Sequence, residues 1–294
     1  MNTKSKAQLK KLTFLDKLPL YIMKLFIYLI LSIFAFIILF IFYTLFVNAS
    51  RAHIDISKGF SIIPGSFFGR NFQKIITQEN LFVLEGIRNS LFIAFTSAAL
   101  TTYFSALTAY AIHQYRFKGR RFIHMAILAV MMIPSQIAGI GLVTILYSIG
   151  WVNNYWVIII PAIASPATFF FMLQYMKSIL SHEMIEAARV DGSSEFRTFN
   201  QIVLPIIKPA LSVQFIFAFV ASWNNLFIPS LIIQDGKKRT LPIIIAQLGV
   251  SDPKNFDQGA RFMLMFLAII PTIIIYLIFS KFIIGGTTAG SVKG

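Results

Sequence analysis

The stretch Ser181–Pro209, SHEMIEAARVDGSSEFRTFNQIVLPIIKP, decides how the chain is read. It lies between two long apolar segments, carries four acids, and is too polar to cross a bilayer. Ser181 is placed to cap a helix that begins at His182, with Glu183 in its first turn against the helix dipole. Asp191-Gly192 should close that helix, because glycine takes the left-handed conformation without penalty. Ser193 or Ser194 then starts a second helix, in which Phe196, Phe199 and Val203 recur at helical spacing and which Pro205 should stop. Small side chains at Ala187 and Ala188 would let a partner's groove approach the backbone, while Glu186 and Arg189 offer charges beside it. On pattern alone, a docking knob and an ordinary solvated loop are equally good readings.

The surrounding composition belongs to an integral membrane protein. Of 294 residues, 57% are hydrophobic and 13% charged, against about 25% charged in soluble domains. Apolar runs fall at roughly 25–47, 87–112, 122–149, 155–177, 209–233 and 261–284. The first is too long for a signal-peptide core and reads as a retained span. Six spans put both termini on one side, and the expected fold class is an all-α membrane protein with a polar hairpin on that side.

Orientation follows from Lys and Arg. With the termini inside, the N-terminal arm holds six, the loop Arg116–Arg121 four, the hairpin region four and the tail two, which is sixteen of the 26. The hairpin is therefore cytoplasmic, and topology accounts for much of the net charge of +15. No basic patch is interleaved with exposed aromatics, so nucleic acid is not expected as a partner. The expected division is 1–84 (arm, first span and external loop), 85–284 (transmembrane core, with the hairpin helices over 182–204) and 285–294 (cytoplasmic tail).

The third span contains MMIPSQIAGIGL, where Pro134 removes a donor and Gly139 and Gly141 permit close approach. With Pro161, Pro166, Pro229 and Pro271 this makes several broken helices, which fit a transporter better than an anchor. Asn89-Ser90, at the start of the second span, reads as a cap or an interhelical hydrogen-bonding pair.

Catalytic and metal chemistry is not indicated. There is no G-x-x-x-x-G-K-[ST] loop, so energy from ATP, with its Mg²⁺, would have to come from a partner. The four histidines show no ligand spacing, cysteine is absent, and no metal or resident cofactor is expected. Few acids lie within the spans, which disfavours a proton- or sodium-coupled carrier. Neutral polar groups beside aromatics, among them Gln136, Thr144, Tyr147, Gln214, Asn224 and Asn225, suit sugar hydroxyls as well as they suit helix packing.

EAARVDG followed by IVLP resembles the EAA loop of permease subunits in ABC importers, with Glu186, Ala187, Ala188, Gly192, Ile202, Leu204 and Pro205 at the motif positions. Over residues 85–294 the chain further resembles MalG-like permeases of maltose-type carbohydrate importers. The matches are Tyr110-Ala111 with Arg116-Phe117-Lys118-Gly119-Arg120, Trp223-Asn224, Thr240-Leu241, and a C-terminus with Gly285 and Ala289 to Gly294. Ser181 stands where many members carry proline, which serves a helix start equally well, and Asn225 where an acid is frequent.

The resemblance implies a type I ABC importer permease fold in a bacterial inner membrane, and a coupling helix docked on a dimeric cytoplasmic ATPase. It implies as partners a second homologous permease, an extracytoplasmic solute-binding protein, a sugar substrate and the surrounding lipid. The coupling set is then Glu186, Ala187, Ala188, Arg189, Asp191, Gly192, Ile202, Leu204 and Pro205, and the candidate path Trp223, Asn224, Asn225, Gln136 and Tyr147. Gly290, Ser291, Val292, Lys293 and Gly294 would reach the ATPase. A permease for a non-sugar solute, or a scaffold whose hairpin binds another protein, are the alternatives.

Overall fold

The computed structural model describes residues 14–78, 81–250 and 257–290, and every described element is helical. In order these are α1 (Phe14–Ala49), α2 (His53–Ser57), α3 (Phe68–Thr77), α4 (Val83–Gln114), α5 (Arg120–Val130), α6 (Ser135–Ser148), α7 (Trp156–Ile163) and α8 (Pro166–Ile179). There follow α9 (His182–Val190), α10 (Glu195–Thr198), a π turn (Phe199–Val203), α11 (Leu204–Ile206), α12 (Lys208–Trp223), α13 (Phe227–Ile232), α14 (Leu241–Val250) and α15 (Gln258–Gly290).

Five stretches are long and apolar enough to cross a membrane: within α1, α4, α7–α8, α12–α13 and within α15. The sixth differs from expectation. It is a pair, α5 and α6, whose axes differ by 96° across the break at Met131–Pro134. At 1.5 Å per residue, α5 and α6 reach only about 16 and 21 Å, so neither alone crosses a hydrocarbon core of about 30 Å. Of the two glycines expected to allow close approach, Gly139 does so: a Cβ there would lie 2.7 Å from Ile228 Cδ1 of α13, whereas Gly141 faces open space.

α4 is the axis of the bundle. Its buried side chains run from Val83 to Gln114 and are mostly Ser, Ala and Thr, a small-residue stripe that lets α8, α12 and α7 approach closely. Thr101 on this stripe donates to the Ala162 carbonyl at 2.7 Å. Pro166 has no N–H to offer that carbonyl, so the hydroxyl from α4 fills the bond missing where α7 gives way to α8.

Around α4 the core forms three clusters. One joins the α1 end with α3, α12, α14 and α15 through Phe219, Trp223, Leu241 and Met263. A second joins α8, α9, the π turn and α12 through Met172, Met176, Ile185 and Phe199. The third joins α6, α7, α13 and α14. Most of α1 projects without cover, its exposed apolar face running from Tyr21 to Phe42.

The segment between α1 and α4 carries two short helices, α2 and α3. Asn71 of α3, buried, donates from Nδ2 to the Ala49 and Arg51 carbonyls at 2.8 and 2.9 Å, bonding groups that the end of α1 leaves without helical partners. Asn71→Ala should cost about 1–3 kcal/mol by leaving these carbonyls unpaired. The check is the unfolding temperature of the detergent-solubilised protein, lowered relative to the unsubstituted chain; Asn71→Asp, which keeps the side-chain volume but offers only acceptor oxygens, should be no better than alanine.

Asn89-Ser90 acts between elements: Asn89 Nδ2 donates to the Lys237 and Arg239 carbonyls at 2.8 and 3.0 Å, and Ser90 Oγ accepts from Leu241 N at 2.8 Å. The apolar stretch after Thr240, between the last two spans, is not a loop. It forms α14 and buries Leu241, Ile243 and Ile244. The last span, expected to end at 284, stays helical to Gly290, so 285–290 continue α15.

Candidate functional site

The hairpin forms as its caps dictate. Ser181 Oγ accepts from Met184 N at 3.3 Å and Ser194 Oγ from Arg197 N at 3.4 Å, so each helix is capped by the serine that precedes it. At the other end of α9, Ser193 N donates to the Ala188 carbonyl at 3.0 Å and Gly192 N to the Arg189 carbonyl at 2.9 Å. Gly192 has φ +79°, completing a Schellman closure that a side chain would strain. Pro205 does not stop the second helix. The helix runs on through α11 to Ile206, and the wider π turn immediately before Pro205 accommodates its missing N–H.

Exposure divides the motif residues. Glu186, Ala187, Asp191, Gly192 and Pro205 are exposed, whereas Ala188 is buried against the bundle beside Ile185, and Ile202 and Leu204 are half-buried. Ala188, expected on the docking surface, is therefore part of the hairpin's own foundation. Two apolar residues that the sequence reading did not assign to that surface stand out from it: Val190 is 88% exposed and Phe196 69%.

Arg189, expected to offer its charge outward, is engaged within the chain. Its Nε donates to Glu195 Oε1 at 2.7 Å, and its guanidinium lies over the Tyr115 ring, 5.5 Å from the centroid. Glu195 also accepts from the Tyr115 hydroxyl and, at 3.4 Å, from Tyr110 of α4. One carboxylate thus ties α9, α10 and the end of α4 together. Burial pushes the Glu195 carboxyl upward, but the hydrogen bonds from Tyr115 and Arg189 outweigh it and hold the group below its ordinary value. Burial, and then its bond to Glu195, raises the Tyr115 phenol.

A depressed carboxylate contributes stability above its unfolded value and loses it as pH falls through its folded value. The brace is therefore intact at neutral pH and released only below the ordinary glutamate range. Being half-exposed, the Arg189–Glu195 pair contributes about 1 kcal/mol or less, and Glu195→Gln should remove the acid-range change in hairpin protection seen by hydrogen exchange on α9. On the other side of the hairpin, His113 and His182 stack with centroids 5.1 Å apart. His113 Nε2 lies 3.2 Å from the Leu180 carbonyl and His182 Nδ1 3.0 Å from Gln114 Oε1, so both are interface residues. Among the described residues no group of three or more acids and histidines could hold a metal.

The candidate path residues do not come together as one set. Trp223 is a core residue, not a wall: it is 2% exposed, stacks on Phe219 at 5.9 Å, and donates from Nε1 to the Ala268 carbonyl at 2.9 Å, one turn before Pro271. The Tyr147 hydroxyl donates to the Leu231 carbonyl at 2.8 Å, where α13 ends, and accepts from Gln234. Asn224 and Gln136 are exposed. Asn225 lines a cavity of about 550 Å³ together with Ser135, Ser165 and Pro166. Three helix breaks, α5–α6, α7–α8 and α12–α13, meet at this cavity, whose lining is mostly apolar, with Ser135, Ser165 and Asn225 as its polar side chains. Ser291, Val292, Lys293 and Gly294 lie outside the described residues, and Gly290 ends α15.

Broken spans around a cavity, with a capped polar hairpin braced at one end, define the transmembrane subunit of a transporter worked from outside the membrane. The chain belongs to the family of binding-protein-dependent transport system inner membrane components, which it matches over residues 102–285, and is a permease of the ABC importer class.

It is 33% identical over 263 residues to the arabinooligosaccharides transport system permease protein AraQ of Halalkalibacterium halodurans, covering 88% of this chain and 93% of that one. Identity to the trehalose/maltose transport system permease protein MalG of Thermococcus litoralis is also 33%, over 228 residues, covering 76% and 81%. The fold is shared with a chain in the crystal structure of a bacterial ABC transporter involved in the import of the acidic polysaccharide alginate, with a TM-score of 0.75, 20% identity, and coverage of 89% and 96%.

Proposed function

We propose that this permease forms half of the path for a sugar or oligosaccharide, paired with a second homologous permease, fed by an extracytoplasmic binding protein and driven by a separate dimeric ATPase that binds ATP and Mg²⁺. Both termini are then cytoplasmic, and Ser291 to Gly294 extend toward the ATPase. The observation that carries the reading is the construction of the hairpin. A Schellman-closed α9, locked to α4 through Glu195, presents Glu186, Ala187, Val190 and Phe196 outward as one stiff surface.

A ligand shifts a conformational equilibrium only by its differential affinity for the two states. ATP acts on the ATPase, so the shift reaches the spans only if the connecting element does not bend. The brace meets that requirement: movement of α9 is passed to α4, the bundle axis, and from there to the helix breaks around the Asn225 cavity. Alternating access follows when those breaks rearrange.

A saccharide is favoured over other solutes by the neutral hydrogen-bonding groups at that cavity and by relatives named for arabinooligosaccharides and for trehalose and maltose. The test is to purify the complex with its binding protein and screen saccharides, amino acids and peptides for a thermal shift. At a hundredfold excess over Kd a true ligand adds about 2.7 kcal/mol. A saccharide hit is expected, and a hit confined to amino acids or peptides would overturn the sugar assignment.

A further inference from the structure

A strongly basic pocket lies apart from the cavity beside Asn225. At the hairpin end of the bundle, where the Tyr115–Gly119 loop enters α5, a cavity of about 730 Å³ is lined by Arg116, Lys118, Arg120, Arg121 and Lys177. No acid lines it, and none of these five cations forms an ion pair among the described residues. Its floor is apolar, formed by Ile112 of α4 and Leu173 of α8. His124, on the same wall, has a buried Nε2 without a hydrogen-bond partner.

Topology alone asks for basic residues near a span end, but it does not ask for them to converge on one concavity, where like charges repel. Five cations converging over an apolar floor suit an anion with an apolar body. The helix α5 supports the second half of that description. None of its residues is buried, and Phe122 and Met125 on it are exposed. An acyl chain would cover this face while a phosphate lay among the cations, the arrangement by which basic pockets at span ends hold lipid headgroups.

We infer that this pocket binds the headgroup of an anionic phospholipid, with its acyl chains along α5. A free phosphate shares the headgroup chemistry but leaves the α5 face bare, and the two are distinguished by the test.

The full-length chain in detergent micelles is titrated with phosphatidylglycerol, phosphatidylcholine or inorganic phosphate, and bound species are counted by native mass spectrometry. Arg120→Gln/Arg121→Gln/Lys177→Gln should weaken phosphatidylglycerol binding by about tenfold or more, since each basic residue near a lipid surface contributes on the order of 1 kcal/mol. A control that removes three exposed charges at the opposite end, Lys58→Gln/Arg70→Gln/Lys237→Gln, should leave it unchanged. Should the pocket variant fail to fold, Arg121→Gln and Lys177→Gln singly, both exposed, should each weaken binding in the same direction. The inference fails on any of three results: retained phosphatidylglycerol affinity in the pocket variants, an equal loss in the control, or inorganic phosphate displacing the lipid and binding as tightly alone.

Discussion

Glu186→Lys should strip the ATPase from the purified complex while leaving the permease folded. Glu186 is exposed and makes no ion pair or hydrogen bond within the described residues, so its charge is available to a partner. Reversing one member of a desolvated interface pair costs about 2–5 kcal/mol, which lowers affinity by roughly 30-fold or more. ATPase stoichiometry on co-purification and the rate of coupled hydrolysis are the readouts, and the unfolding temperature of the permease is the control.

Gly192→Pro should give the same loss by another route. Proline cannot reach φ +79° and removes the N–H that donates to the Arg189 carbonyl, so α9 loses its closure and the surface its shape. A variant carrying Glu186→Lys that retained full ATPase occupancy would sink the coupling assignment, although the lipid pocket, on different residues, would stand.

The second large effect is on stability. Trp223→Ala should destabilise the bundle by about 3–5 kcal/mol, the range for emptying a large aromatic from a packed core. The cavity would open beside Phe219 in the cluster that joins α12 to α14 and α15. Trp223→Phe keeps most of the ring and gives up the bond to the Ala268 carbonyl, for a loss nearer 1 kcal/mol. Thermal unfolding in detergent ranks the three proteins. If Trp223 instead lined the path, both variants would alter transport at unchanged unfolding temperature.

How much was legible depends on how far apart the determining groups lie in the chain. The hairpin helices were readable because their signals are local: Ser181, Gly192 and Ser194 each act on backbone within five residues, and each acts as expected. Pro205 misled because its effect depends on the turn before it. A π turn absorbs the missing donor, and nothing in NQIVLP announces one. The break at Met131–Pro134 was visible as a weak point, but its 96° angle is set by the packing of α6 on α13 and of α5 on α8. Glu195 was passed over because its partners, Tyr110 and Tyr115, lie 85 and 80 residues earlier.

From the sequence by itself came the membrane class, the approximate positions of the spans, the polar hairpin with its caps, and the resemblance to the permease family, because hydropathy, capping and short motifs are properties of neighbouring residues. Only the tertiary structure decided which motif residues face outward and which brace the hairpin. It also moved Trp223 from the path to the core and gathered five cations into one pocket. The reason is that side-chain exposure and charge pairing are set by helices that meet across the bundle, such as Trp223 with Ala268, 45 residues on, and no local pattern records that meeting.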